Sequence, residues 1–401
     1  MLLFALISEF LYLFFVFQRL QTDILDLHNN QTAKLIVFSL LILFVLYFYT
    51  YYKTNWIKVD VRKIIFISIA FHVTFLLVTF LTSDDIYSYI SAGRLITHWG
   101  KNPYLTTYDS VPFDEFYKVI KTVWSSQTTL YGPLLISSTI NLIGLNNLPF
   151  TAFLFKFVLS GANVVNVFLI YKISKNKKAT FLYSLNPLVI FELAGNGHTE
   201  SLLILSLLIS IFLISRRQVV SFAAFTSSVL IKYSTLIVLP LYLIYLKKKD
   251  WKTLIIATMC GLLIVVIGYS PFWNKHIFDY LIAYYNGRYI SPSSGIFIGQ
   301  ALLGSYALSF RINTLLFFLI SGVLLKKFLY SKSNFRQFVF YSFLLYWVYI
   351  LTKLSLVLTW YLTPLVALGS LCITWKKYHK YAMTSLLFVS IYSLILYYFV
   401  R

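Results

Sequence analysis

Long apolar runs separated by short basic loops set the pattern of this chain. A bilayer core takes about 20 apolar residues per helix. On that measure the candidate spans are 2–20, 33–52, 64–82, 148–171, 179–196, 199–215, 219–246, 253–271, 312–328, 337–352, 359–375 and 380–400. The run 219–246 has 28 residues and basic flanks at both ends, so it must cross an even number of times. The pattern predicts two short helices there, turning near Lys232-Tyr233-Ser234. The run 131–146 is expected to be re-entrant or interfacial, because a full crossing would put the basic residues at 172–178 on the wrong side. Irregular backbone at that depth has to be buried in protein or line a wet cavity. The expected fold is all-α, a polytopic transmembrane helical bundle of about 13 crossings including the short-helix hairpin. No internal repeat divides it, and 1–401 reads as one membrane domain.

Composition narrows the class. Hydrophobic residues make up 59% and charged residues 12%, against about 25% charged in soluble domains. This excludes a disordered chain and an ordinary soluble enzyme, whose surface so few charges could not cover. The net charge is +21, but it is not spread evenly. Clusters at 53–63, 172–178, 216–217, 247–252, 326–336 and 376–380 hold 21 of the 34 Lys and Arg residues, accompanied only by Asp60 and Asp250. Such loops mark the cytoplasmic side, so the charge is a topological address and no nucleic-acid partner is expected. The loops 21–32, 83–130, 196–198, 272–311 and 353–358 then fall on the extracytoplasmic face. Cys260 and Cys372 lie in apolar runs and read as small buried hydrophobes. The apolar first 17 residues lack a cleavage site and read as a retained helix.

Candidate chemistry gathers in the 83–130 loop, where interfacial helices are expected. It carries Asp84, Asp85, Asp109, Asp114 and Glu115, five of the thirteen acidic residues. Asp84 and Asp85 sit where a span meets the surface, and carboxylates near the bilayer are functional candidates. The bland alternative is that Ser83 or Asp84 simply caps a helix. On a straight helix Asp84 shares a face with Ser88, Ser91 and His98, and Asp85 with Tyr89, Ala92 and Trp99. That wheel favours Asp84 as the polar-facing acid.

Three further elements stand out. Tyr131-Gly132-Pro133-Leu134 opens the re-entrant run. Asn186-Pro187-Leu188 is followed by Gly195-Asn196-Gly197-His198-Thr199-Glu200, which reads as a tight turn between spans at the outer face. Glu192, inside the apolar span before it, has no such plain reading. Lys232, Lys353 and Arg288, the last within Tyr284-Tyr285-Asn286-Gly287-Arg288-Tyr289, are cations outside the basic clusters. A buried cation facing a cavity suits a phosphate, while snorkelling to the interface is the plainer use. The six His are scattered, and adjacent Asp84 and Asp85 diverge by about 100° on a helix. No cofactor is expected, and a divalent metal finds no supporting ligand set. Glycine-rich nucleotide-phosphate loops are absent.

Asp85-Ile86-Tyr87-Ser88-Tyr89 with Gly93, then Gly100, Pro103 and Tyr104, resembles polyprenol-phosphate-dependent mannosyltransferases of glycosyltransferase superfamily C. Tyr131-Gly132-Pro133-Leu134 is similar to their Tyr-x-Pro-Leu element, and Asn186-Pro187-Leu188 with Gly195-Asn196-Gly197-His198 to their next motif. Lys232 before Leu239-Pro240, and the pair Trp360-Tyr361, fit more loosely, with Thr359 standing where the pattern has Pro. The similarity spans 85–364 and is strongest over 85–200. Its nearest reach is to bacterial α-mannosyltransferases of lipoglycan synthesis and the eukaryotic GPI mannosyltransferase.

The resemblance implies a GT-C-like bundle in the cell membrane that moves one sugar, mannose by default, from a polyprenyl-phosphate donor to a glycan or glycolipid acceptor outside the cell. It implies Asp85 rather than Asp84 as general base, in a single inverting displacement. It leaves Lys232, Arg288 and His198 to bind the donor phosphate. Tyr89, Arg94, Asn102, Tyr104, Tyr131, Asn196, Glu200, Trp360 and Tyr361 are the substrate-binding candidates. Two other classes fit a polytopic chain with a lipid-linked substrate. A transporter or flippase of lipid-linked glycans would favour internal symmetry, and an outer-face glycan ligase or polymerase would need room for an oligosaccharide donor.

Overall fold

The computed structural model describes residues 1–120, 125–133, 137–144, 146–285, 294–353 and 357–399. Leu134, Arg288 and the loop around Arg288 lie outside them, as does the side chain of Lys353. Among the described residues the secondary structure is helical, with no strand. Six of the described helices are long and apolar enough to cross a membrane: Leu2–Leu20, Asn30–Lys53, Leu148–Ser174, Trp251–Phe272, Tyr306–Leu329 and Lys376–Tyr398. Their outer faces are apolar; Met259, Leu263 and Val266 are each about 60% exposed, a surface suited to lipid. The protein is an integral membrane protein.

The other apolar runs fold as shorter pieces, so a count of full crossings does not follow from length alone. The run at 64–82 gives the helix Val61–Phe75. The run 219–246 breaks at the expected place. Gln218–Ile231 ends at Lys232, whose φ of −152° and ψ of 126° are extended, and a 3-10 turn, Tyr233–Val238, leads into Leu239–Lys249. The re-entrant run contributes Ser137–Gly144, eight residues or about 12 Å of helix, too short to cross.

The basic loops touch one another in two groups. Lys177 Nζ donates to the Trp56 and Ile57 carbonyls at 3.3 Å. Lys248 Nζ donates to the Ser331 carbonyl at 2.8 Å, and Phe335 packs edge-on against Trp375. The two acids of those loops are helix caps. Asp60 accepts from Arg62 N at 3.0 Å, and Asp250 from Thr253 N at 2.8 Å, satisfying amides that a helix start leaves open.

The segment 186–201 positions the site. Asn186 caps a new helical start by accepting from Leu188 N at 3.0 Å, with Pro187 at the first position, where its missing N–H costs nothing. One residue per turn is then inserted, giving a π-helix over Ile190–Asn196, a geometry concentrated at functional sites. Gly197, at φ +71°, turns the chain into Glu200–Leu213, and the two pieces meet at 119°. The expected surface turn is instead buried: every residue from 190 to 201 is inside the protein. The reason is local. The Gly195 and Ser201 carbonyls and the Glu192 and Asn196 side chains are met by partners inside the protein.

Those partners belong to a polar seam through the bundle. Lys156, buried in Leu148–Ser174, donates from Nζ to the Thr79 carbonyl at 3.1 Å and to the Gly195 carbonyl. His72 Nε2 meets Asn163 at 2.9 Å, and Tyr183 donates to Asn163 at 2.6 Å. Asn166 donates to the Ser201 carbonyl at 2.9 Å. Polar groups at bilayer depth must be paired within the protein, and here they pin the π-helix.

Candidate active site

A cleft with about 1030 Å³ of empty space, its open mouth included, lies beside this segment, with Asp85, Tyr131, Lys232, Trp360 and Tyr361 among its walls. The helix Asp85–Thr97 supplies one wall through Asp85, Ser88, Ala92 and Leu95. Asp84 is the residue before the helix, makes no capping bond and does not line the cleft. The wheel that favoured Asp84 assumes both acids are helical; the helix begins one residue later, so the wheel applies to Asp85 alone. Burial, and then the neighbouring Asp85 carboxylate, push the Asp84 carboxyl above its ordinary range.

Lys232 supplies the opposite charge. Gly132 N donates to the Ile231 carbonyl at 3.2 Å. A Cβ on Gly132 would sit 1.9 Å from the Leu230 carbonyl oxygen, so glycine is required for the two backbones to touch. This close approach sets Tyr131 beside Lys232, whose Nζ is 5.7 Å from the Tyr131 ring and 4.3 Å from the Tyr361 ring. Tyr89, fully buried, packs edge-on against Tyr131 at 5.0 Å. Glu200 accepts one bond from Lys232 Nζ. An ammonium has three donors, which leaves capacity toward the cleft.

Behind the wall lies a second layer. His198 stacks on Trp360, with ring centroids 3.8 Å apart and planes 20° apart, and has no exposed surface. Its Nδ1 is 3.6 Å from Asp85 Oδ2, and its Nε2 is 3.1 Å from Glu192 Oε2. Glu192 also accepts from Asn196 Nδ2 at 2.9 Å, from the Thr359 hydroxyl and from the Tyr397 hydroxyl. Asn196 Oδ1 in turn accepts from the backbone of Leu81 at 3.1 Å and Thr82 at 2.8 Å. The residues just before Asp84 are thereby tied to the π-helix.

Residues 16–248, more than half of the chain, match the family described as alpha-(1->6)-mannopyranosyltransferase, N-terminal domain. The chain belongs to this mannosyltransferase family. No curated protein and no solved structure matches it. In this mannosyltransferase the family match holds Asp85, Tyr131, His198, Glu200 and Lys232, while Thr359, Trp360, Tyr361 and Tyr397 reach the site from beyond it.

Not every anticipated residue joins them. Arg94 is buried away from the cleft on Asp114, bonded at 2.9–3.1 Å, and on the Phe116 ring at 3.9 Å. Asn102 braces the loop, donating to the Phe272 carbonyl at 2.8 Å and accepting from Tyr104 N at 3.0 Å. Tyr104 donates to the Tyr131 carbonyl at 2.9 Å and does not line the cleft. Asn196 and His198 stand behind its wall rather than in it. Among the described residues no three His, Cys, Asp or Glu side chains come together to hold a metal ion.

Sequence reasoning left Lys156, Thr359 and Tyr397 unassigned. Lys156 carried a usable signal, an isolated ionisable residue inside an apolar run. Thr359 and Tyr397 carried none, since hydroxyls are common in such helices.

Proposed function

We propose that this mannosyltransferase takes mannose from a polyprenyl-phosphate donor and transfers it to a hydroxyl of a glycan or glycolipid acceptor, at the extracytoplasmic face, with inversion. The observation that carries this reading is that a carboxylate, Asp85, and an ammonium, Lys232, line one aromatic-walled cleft. Asp85 takes the proton of the acceptor hydroxyl as its oxygen attacks the anomeric carbon. The bond from that carbon to the phosphate oxygen breaks, and its electron pair leaves with the polyprenyl phosphate. Lys232 faces the charge that develops there, and the Trp360 and Tyr361 rings offer surfaces for the sugar. If the linkage is the α-(1→6) of the family description, inversion requires a β-linked donor.

The clustering of basic residues in short loops supports the choice of face, since basic loops stay cytoplasmic. Mass spectrometry of products formed from a defined polyprenyl-phosphate mannose tests the reading. Asp85→Asn is expected to fold and to lose about 10³-fold of its transfer rate. Ordinary transfer by that variant overturns the assignment of the base.

A further inference from the structure

We infer that Glu192 is a positioning residue for Asp85, acting through His198. The inference rests on the reading of Asp85 as the base. Among the described residues, His198 is the one basic side chain within 4 Å of Asp85. Whatever sets the His198 ring therefore sets the electrostatic partner of the base. Trp360 fixes the ring's plane by stacking at 3.8 Å, and Glu192 Oε2 lies 3.1 Å from Nε2, out of hydrogen-bond alignment but close enough to act on the ring's charge.

Glu192 is suited to that task and to no direct one. It is fully buried and does not line the cleft, so it touches neither substrate. Its carboxylate is gripped from three separate elements: Asn196 of its own π-helix, Thr359 before Trp360, and Tyr397 of the last helix. Each ring nitrogen of His198 faces a carboxylate oxygen. A doubly protonated imidazole presents positive charge to both, whereas a neutral ring turns one lone pair toward an oxygen. The carboxylate of Glu192 thus favours a cationic His198 beside Asp85, which orients the base. This use also explains why His198 sits behind Trp360 and not on the cleft wall, where a phosphate ligand would be.

Glu192→Gln tests it in the full-length protein. The amide retains an acceptor and offers Nε2 a donor, so shape is kept and the charge is lost. The expected result is a fall in kcat of roughly 10- to 100-fold, the scale of outer-shell partners, with the donor KM within about twofold, the pattern of a lost transition-state contribution. Glu192→Asp, which keeps the charge, should retain more of kcat than Glu192→Gln. Unchanged kcat overturns the inference. So does a raised donor KM with kcat intact, which would give His198 to the donor phosphate. Should Glu192→Gln fail to fold, Tyr397→Phe removes one grip on the carboxylate and is expected to lower kcat several-fold at constant KM; wild-type kcat there also overturns it. Asp85→Asn separates the two levels. If that variant transfers mannose at the wild-type rate, the base assignment has failed; if it loses transfer while Glu192→Gln is fully active, only the positioning role has.

Discussion

The helix Asp85–Thr97 carries a charge cluster at each end, and the two are built on opposite plans. At the C-terminal end Arg94 binds both oxygens of Asp114, reaches Asn146 at 3.2 Å and Glu115 at 3.3 Å, and lies on Phe116. Asp114 is equally full, accepting also from Trp99, Tyr108 and the Phe116 amide. At the N-terminal end Asp85 has one ionic partner, 3.6 Å away, and its carboxylate is on a cleft wall. A saturated buried cluster has nothing left to offer a substrate, and its value is in fixing the loop. An unsaturated one can exchange partners, which is what proton transfer and phosphate binding require. Charge type in the sequence does not separate these cases; the number of partners already present does.

Neutralising the open end should have the largest effect. Asp85→Asn is expected to lower transfer by about 10³-fold, within the range for loss of a general base, with an unchanged thermal midpoint. At the closed end the expectation reverses. Asp114→Asn leaves Arg94 buried and short of charge, at a cost of about 3 kcal/mol, because Glu115 is more than half exposed and compensates only in part. Thermal unfolding measures this, and a midpoint equal to wild type would erase the distinction drawn between the two ends. Lys232 tests the open end from across the cleft. Lys232→Gln should reduce kcat about 10²-fold, as for loss of one group stabilising a developing charge. It also strands Glu200, so the double variant with Glu200→Gln should recover stability but not transfer. Recovery of transfer as well would make the Lys232–Glu200 pair a structural bridge.

Much of this was readable from residues and some of it was not. The apolar runs gave the bundle because a bilayer imposes one length scale, and the basic flanks of 219–246 called for a break, found at Lys232, because parity requires an even number of crossings. Asp85 and Asp84 were both visible as candidates, but choosing between them on a wheel needs the first helical residue, which boundary reading does not supply. Arg94 and Asn102 were candidates because they lie in the motif that carries the resemblance; Asp114 and the Phe272 carbonyl, which occupy them, are 20 and 170 residues away in sequence. The turn at Gly197 looked exposed for the same reason. Its partners, Lys156, Thr359 and Tyr397, come from three other helices. Long-range pairing of polar side chains leaves no periodic trace.

Acid titration gives the smallest effect and the finest test of the comparison, because the two clusters contain acids that shift in opposite directions. Burial alone would raise Asp114, but the bonds from Arg94, the Phe116 amide, Trp99 and Tyr108 hold its carboxyl below the ordinary carboxylate range. A group depressed on folding contributes stability that is full above its unfolded value, about 3.9, and is lost as pH falls through the folded one. Asp84 is raised, by burial first and Asp85 second. Its protonation on the way down from neutral pH therefore favours the folded state and costs no stability. The closed end should hold until the pH is below about 4, while Asp84 has already taken up its proton. Trp99, whose Nε1 donates to Asp114 at 2.7 Å, reports that end directly, as the fluorescence difference between wild type and Trp99→Phe. Infrared difference spectra of wild type and Asp84→Asn follow the other carboxyl. A Trp99 signal that changes at or above the pH where Asp84 protonates would show that the two ends open together, and that the saturated cluster is no more fixed than the open one.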